Sequence, residues 1–238
     1  MLPTSREVPR LLLADDHAML RDGLRAILND EGFEVVGEAS DGREAVKLAQ
    51  TVGADVAVLD VSMPLLNGID AAREILKSFP KTKIIMLTMY TEERYVLASL
   101  RAGIAGYVLK SKAASSLVQA IRAVCNGEVY LSPGVSKAVV DAYLAKDDTP
   151  ADPLSARERE VLQLIAEGKN AKEIGSILGV SAKTAESHRA NIMQKLQIHE
   201  VAGLARYAVR EGLVQDSPRP SSRISQERAP ELELKNAN

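Results

Sequence analysis

The chain has 238 residues, of which 46% are hydrophobic and 26% charged, the make-up of an ordinary globular protein with room for one large domain or two small ones. No apolar run approaches the ~20 residues of a spanning helix, the first ten residues lack the apolar core of a secretory signal, and the single cysteine, Cys125, supports neither an internal disulfide nor a thiolate metal cluster. The expected setting is therefore cytoplasmic with no membrane partner, and the net charge of -2 and the absence of Trp advertise no nucleic acid, least of all a single strand stacked on aromatic rings.

After an N-terminal extension (1–9), residues 10–127 alternate short Val/Ile/Leu runs with stretches of helical period. The runs at 11–14, 33–37, 56–59, 83–87 and 106–109 predict five strands. The stretches at 19–29, 42–50, 68–78, 92–101 and 115–124 predict the helices between them. Continuous apolar strands separated by helices imply a doubly wound, five-stranded parallel sheet covered on both faces, an α/β domain. Residues 128–152 read as a linker: 135–144 as a linking helix, then a polar, proline-bearing stretch. From 153 to 214 the pattern is all helix. Ser155 and Glu158 form a capping-box pair at the start of the first helix, which stops at Gly168. Helices follow at about 171–178, 182–196 (capped by Ser181) and 200–210, making a four-helix, all-α domain. The Pro-, Ser- and charge-rich tail (215–238) is expected to be disordered.

Open α/β sheets bind ligands at the carboxyl ends of their strands. Here those ends carry Asp15 and Asp16, Asp60, Thr88 and Lys110. Singly these are a helix cap, a strand end and a surface lysine; together, at four strand ends, they point to one pocket. Three carboxylates in one crevice repel each other unless a cation joins them. Hard oxygen ligands suit Mg²⁺ or Mn²⁺, which makes Asp15, Asp16 and Asp60 the candidate metal ligands. A hydroxyl and an ammonium complement a phosphoryl group, and a carboxylate can be its acceptor. Asp60 stands alone at its strand end and is the candidate phosphoacceptor.

The segments LLLADDH, VAVLDVSMPLLNG, IIMLT and GYVLKS resemble the receiver domain of two-component response regulators over roughly residues 10–127. The resemblance implies that a histidine kinase phosphorylates Asp60 and that Asp15 and Asp16 hold Mg²⁺. It also implies that Thr88 swings towards the phosphoryl group, Tyr107 rotates inward behind it and Lys110 pairs with the phosphate. Ser111 stands where many receivers have proline, which leaves the backbone after Lys110 less constrained. Ser62 and Tyr90, two residues past Asp60 and Thr88, hold positions that tune phosphate lifetime in that family; a bulky Tyr90 would shield the acyl phosphate and slow self-dephosphorylation.

In the helical half, the turn Leu178-Gly179-Val180-Ser181 is a helix-turn-helix sign. Ala185, Ile192 and Leu196 share one face of the third helix. Lys183, Glu186, Ser187, Ala190, Asn191 and Gln194 share the other, with short or polar side chains able to approach base edges in a major groove. Lys172, Arg189 and Lys195 suit phosphate contacts, as does the helix start at Ser181 with Thr184. The segment LSAREREVLQLIAEGKNAKEIGSILGVSAKTAESHRANIMQKL resembles the LuxR-type effector domain of the NarL/FixJ subfamily, although Ala171 and Ala185 replace an Asn and a Val frequent there. The resemblance places base reading at Glu186, Ser187 and Ala190; Glu186 could accept from cytosine N4.

Residues 153–216 carry nine Lys/Arg against eight Asp/Glu, too little charge for one copy to hold DNA tightly. The reading is thus a phosphorylation-dependent transcription regulator that dimerises on paired half-sites of double-stranded DNA. Unphosphorylated, the receiver would mask the recognition helix or hold the chain monomeric. Two alternatives compete: a magnesium-dependent aspartyl-phosphate phosphohydrolase, against which stands Ser62 where an acid is wanted, and a protein-binding switch that never touches DNA.

Overall fold

The structure, a computed structural model, describes residues 8–136, 139 and 153–214. The start of the N-terminal extension, most of the expected linking helix, the polar linker and the tail lie outside the described residues.

The first domain alternates β1 (Arg10–Ala14), α1 (Ala18–Asp30), β2 (Glu34–Ala39), α2 (Gly42–Val52), β3 (Val56–Asp60), α3 (Gly68–Ser78), β4 (Lys83–Thr88), α4 (Glu93–Arg101), β5 (Gly106–Leu109) and α5 (Ala113–Cys125). All their pairings are parallel, in the order β2-β1-β3-β4-β5. Successive side chains of a strand point to opposite faces, and the central strands divide accordingly. Leu12, Ala57, Leu59, Ile84 and Met86 pack under α2, α3 and α4, whereas Leu11, Leu13, Val56, Val58, Ile85 and Leu87 pack under α1 and α5. Every residue of β3 is buried, as a strand covered on both faces requires.

The sheet has a sixth strand where five were expected, β6 (Tyr130–Leu131), paired with β5. Two residues are too short to register as a periodic run. Part of the stretch read as linker therefore belongs to the receiver: the Ser132 amide donates to Tyr107 O at 2.9 Å, and Val135 is fully buried in the cluster that contains Tyr107.

The second domain is α6 (Ala156–Ala166), α7 (Ala171–Leu178), α8 (Ala182–Leu196) and α9 (Val201–Arg210). Capping boxes start α6 (Ser155 with Glu158) and α7 (Asn170 with Glu173), and Ser181 caps α8. Val161, Leu162, Ile165, Ile174, Ala185, Ile192, Leu204 and Ala208 make its core. Arg157 donates to Leu178 O at 2.7 Å, satisfying a carbonyl at the end of α7. Among the described residues no helix is long and apolar enough to cross a membrane.

Candidate functional site

The strand order places β1, β3, β4 and β5 side by side, so the groups at their ends converge. Asp15, Asp60 and Thr88 are buried, and Lys110 Nζ lies 2.7 Å from Asp15 and 2.9 Å from Asp60. Burial pushes the Asp60 carboxyl up to about 6 even though Lys110 pulls it down; neighbouring Asp15 adds to the rise. Burial also works against the Lys110 charge, but Asp60 and Asp15 outweigh it and hold its pKa above the usual lysine value. Ligand atoms of Asp15, Asp16, His17 and Asp60 lie within 4.8 Å of one another. The buried Oδ2 atoms of Asp15 and Asp60 share the one Lys110 ammonium, and each carboxylate oxygen has a further lone pair to offer a cation. This oxygen-rich set fits a hard divalent cation such as Mg²⁺. His17 Nδ1, 2.7 Å from Asp16, joins the cluster through its place beside the acid pair.

The loop after β3 is pressed against the acceptor. A Cβ on Gly68 would stand 1.9 Å from the Asp60 carbonyl oxygen, so only glycine lets α3 start there. The Ser62 backbone amide hydrogen-bonds to Asp60, and its hydroxyl is 3.0 Å from the Tyr90 hydroxyl. The Tyr90 amide donates to Thr88 Oγ1 at 3.2 Å. Tyr107 is fully buried and its hydroxyl donates to Tyr90 O at 3.0 Å. The ring expected to rotate inward is already inward here. Lys110–Lys112 forms a short 3-10 turn leading into α5.

On α8, Ala185 and Ile192 are buried, while Lys183, Thr184, Glu186, Ser187, Ala190, Asn191 and Gln194 are exposed along one side. Exposed Lys172 is on α7. Glu186 and Arg189 form an ion pair at 2.6 Å, which fixes the guanidinium one turn along from the carboxylate. Ser181 and Thr184 bond to each other in the cap. Lys195, expected at a phosphate, is held instead by Glu158 at 2.6 Å.

The receiver does not mask this recognition face. It packs on α6 and on the end of α9. Gln163, with no exposed surface, donates to Met63 O at 3.0 Å and accepts from the Asn67 amide at 2.8 Å. Arg159 reaches Asp70, Glu160 meets Arg43 at 2.6 Å, and Glu167 accepts from the Leu65 amide at 3.0 Å. Leu65 is held at φ 64°, a conformation that costs a branched residue about 1–3 kcal/mol, and packs against the effector core. Residues 159, 160, 163 and 167 thus line one side of α6. The sequence reading missed them because charged and amide side chains on a helix ordinarily mark its solvated face. A cleft of about 700 Å³ separates Asp16, Ser62, Met63 and Pro64 from Glu167, Arg206 and Val209 at the mouth of the acidic pocket.

Comparison with known proteins matches residues 11–122 to the response regulator receiver domain and residues 152–208 to the bacterial regulatory proteins of the luxR family. The chain is 37% identical over 212 residues to the transcriptional regulatory protein MctR of Rhizobium johnstonii, covering 89% of this chain and 98% of that one. It is 39% identical over 206 residues to the response regulator UvrY of Escherichia coli, covering 85% and 94%. Among solved structures, the RcsB response regulator of Salmonella typhimurium superposes with a TM-score of 0.59 at 31% identity, over 87% of this chain and 99% of that one. A complex of RcsB with DNA superposes with a TM-score of 0.54 at 33% identity, over 84% and 98%.

Proposed function

Because the chain belongs to the response regulators that join a receiver to a LuxR-family DNA-binding domain, we propose that a histidine kinase phosphorylates Asp60 and so converts the protein into a dimer that binds paired half-sites in promoter DNA, in the cytoplasm. The observation that carries this reading is the meeting of buried Asp15, Asp60 and Thr88 with part-buried Lys110 and exposed Asp16 at one end of the sheet, joined to an exposed recognition helix.

Asp15, Asp16 and Asp60 would hold Mg²⁺, which when bound neutralises phosphoryl oxygens. Asp60 accepts the phosphoryl group. Roughly two negative charges arrive with it. Lys110 then turns from Asp15 to the phosphate, and the Thr88 hydroxyl is drawn towards the phosphoryl oxygens. That motion gives up the bond from the Tyr90 amide and loosens the Tyr90 backbone that the Tyr107 hydroxyl holds by its carbonyl. The loop at residues 63–67, which carries the effector on Gln163 and Glu167, starts three residues past Asp60. Its displacement favours an open form.

In the closed form the receiver covers the C-terminal end of α9 and leaves the DNA-reading face of α8 free; with α9, whose exposed Ala202 and partly exposed Ala205 stand beside buried Leu204, as the effector's dimer contact, the receiver restrains dimerisation rather than base contact. In the open dimer, Glu186, Ser187, Ala190 and Asn191 face bases, and Lys172, Lys183, Arg189 and the Ser181–Thr184 cap face phosphates. Lys195 joins them only if it exchanges Glu158 for DNA.

Footprinting on promoter DNA, with Mg²⁺ and with or without a small acyl-phosphate donor, tests the proposal. Sequence-selective protection should strengthen with donor in the wild type and not in Asp60→Asn. Equal protection in both chains would refute the phosphoacceptor role.

A further inference from the structure

The end of the effector, just after α9, is seated on α4 of the receiver. Gly212, at φ 76° just after α9, is buried, and a Cβ there would stand 2.0 Å from Tyr95 Cε1. The backbone therefore presses on the hydroxyl-bearing edge of the tyrosine ring. The same Tyr95 ring stacks on Tyr90 with centroids 4.2 Å apart and an interplanar angle of 21°. Arg94 lies over the same Tyr95 ring, 4.9 Å from its centroid, and donates to Arg210 O of the effector. The Tyr90 hydroxyl meets Ser62, whose amide holds Asp60. An unbroken line of contacts thus runs from the effector backbone to the acceptor carboxylate: Gly212, Tyr95, Tyr90, Ser62, Asp60.

We propose that Gly212 and Tyr95 are positioning residues for the phosphoacceptor: the seated glycine holds Tyr95 against Tyr90, and Tyr90 closed against Ser62, so that phosphoryl transfer to Asp60 accelerates when the effector lifts off. This rests on the assignment of Asp60 as the acceptor. The Tyr90–Ser62 pair bridges the loops after β4 and β3, at the rim where a donor must enter. A latch held by one aromatic stack is opened by losing that stack. Reciprocity follows: if lifting the effector favours phosphorylation, phosphorylation favours lifting by the same factor.

Three full-length variants test the proposal by the initial rate of Asp60 phosphorylation from a small acyl-phosphate donor with Mg²⁺, resolved by phosphate-affinity electrophoresis. Gly212→Val forces the ring and the effector apart, and Tyr95→Ala deletes the ring. Both should phosphorylate about fivefold faster than the wild type, the equivalent of about 1 kcal/mol for one aromatic stack. Tyr95→Phe keeps the ring and should restore the wild-type rate, which a merely structural role for the hydroxyl would not do. Should Gly212→Val fail to fold, the Tyr95 pair decides alone. Wild-type rates in Tyr95→Ala, or slower ones, would overturn the proposal while leaving Asp60 as acceptor. A wild-type chain modified no better than Asp60→Asn would overturn both.

Discussion

Replacing Gln163 by Ala should open the protein without any phosphoryl group. The Gln163 amide makes four hydrogen bonds: to Met63 O (3.0 Å) and Glu167 (2.9 Å) through its nitrogen, and from the Asn67 amide (2.8 Å) and Asn67 Nδ2 (3.1 Å) through its oxygen. Neither Gln163 nor Asn67 has appreciable exposure, so truncation strands the Met63 carbonyl and the Asn67 amide away from water in the closed form. Each buried unsatisfied group costs about 1–3 kcal/mol, and in the open form water satisfies both. Even a total of about 2 kcal/mol lowers the closed-to-open ratio about 30-fold. Small-angle scattering should show a larger radius of gyration for Gln163→Ala than for the wild type, and gel shifts should show DNA binding less dependent on donor. Unchanged scattering together with an undiminished requirement for donor would mean that α6 is not what holds the domains together.

The capping-box carboxylate Glu158 predicts a pH effect. Burial pushes its pKa up, but the Lys195 ammonium and the Ser155 amide and hydroxyl prevail and hold it down to about 2. A folded pKa below the ordinary 4.5 means that its stabilisation is complete above that value and is lost as the pH falls towards about 2. Thermal melts should show Glu158→Gln less stable than wild type by about 1–2 kcal/mol at neutral pH, with the gap closing as the pH falls through that window. On α8, Glu186→Lys removes both a candidate base contact and the partner of Arg189. Selection from a randomised DNA pool should return a changed preferred sequence; a uniform gain over all sequences would show that Glu186 reads no base.

The α/β half was legible because its strands are buried on both faces and its chemistry stands at strand ends. The apolar run of β3 ends on Asp60, and that position follows from the sequence pattern alone. Capping pairs made the helix starts legible too, Ser155 with Glu158 and Ser181 before α8. Four features were not legible. β6 is two residues long and paired only through β5, so no local pattern marks it. The docking face of α6 consists of Arg159, Glu160, Gln163 and Glu167, residue types that look solvated until a second domain supplies Asp70, Arg43, Met63 and Leu65. Of the two expectations for the unphosphorylated chain, a masked recognition helix or a monomer, the described contacts depart from the first, because which faces two domains present to each other depends on such pairs, not on the period of either domain. The inward Tyr107 was placed by its burial and its bond to Tyr90 O, neither of which a sequence displays.

The polar seam between the domains also decides what the closed form ignores. Its ion pairs are sheltered most on their acidic side: the side chains of Asp70 and Glu160 are 7% and 9% exposed, those of their partners Arg159 and Arg43 13% and 27%. Exposed charges lose most of their attraction over a Debye length of about 8 Å at physiological ionic strength, whereas sheltered pairs are screened much less. Osmotic swings that change cellular salt should therefore leave the domains together, even as they weaken phosphate contacts to DNA. A protein that reports one covalent event gains from being deaf to the ionic background in which that event occurs.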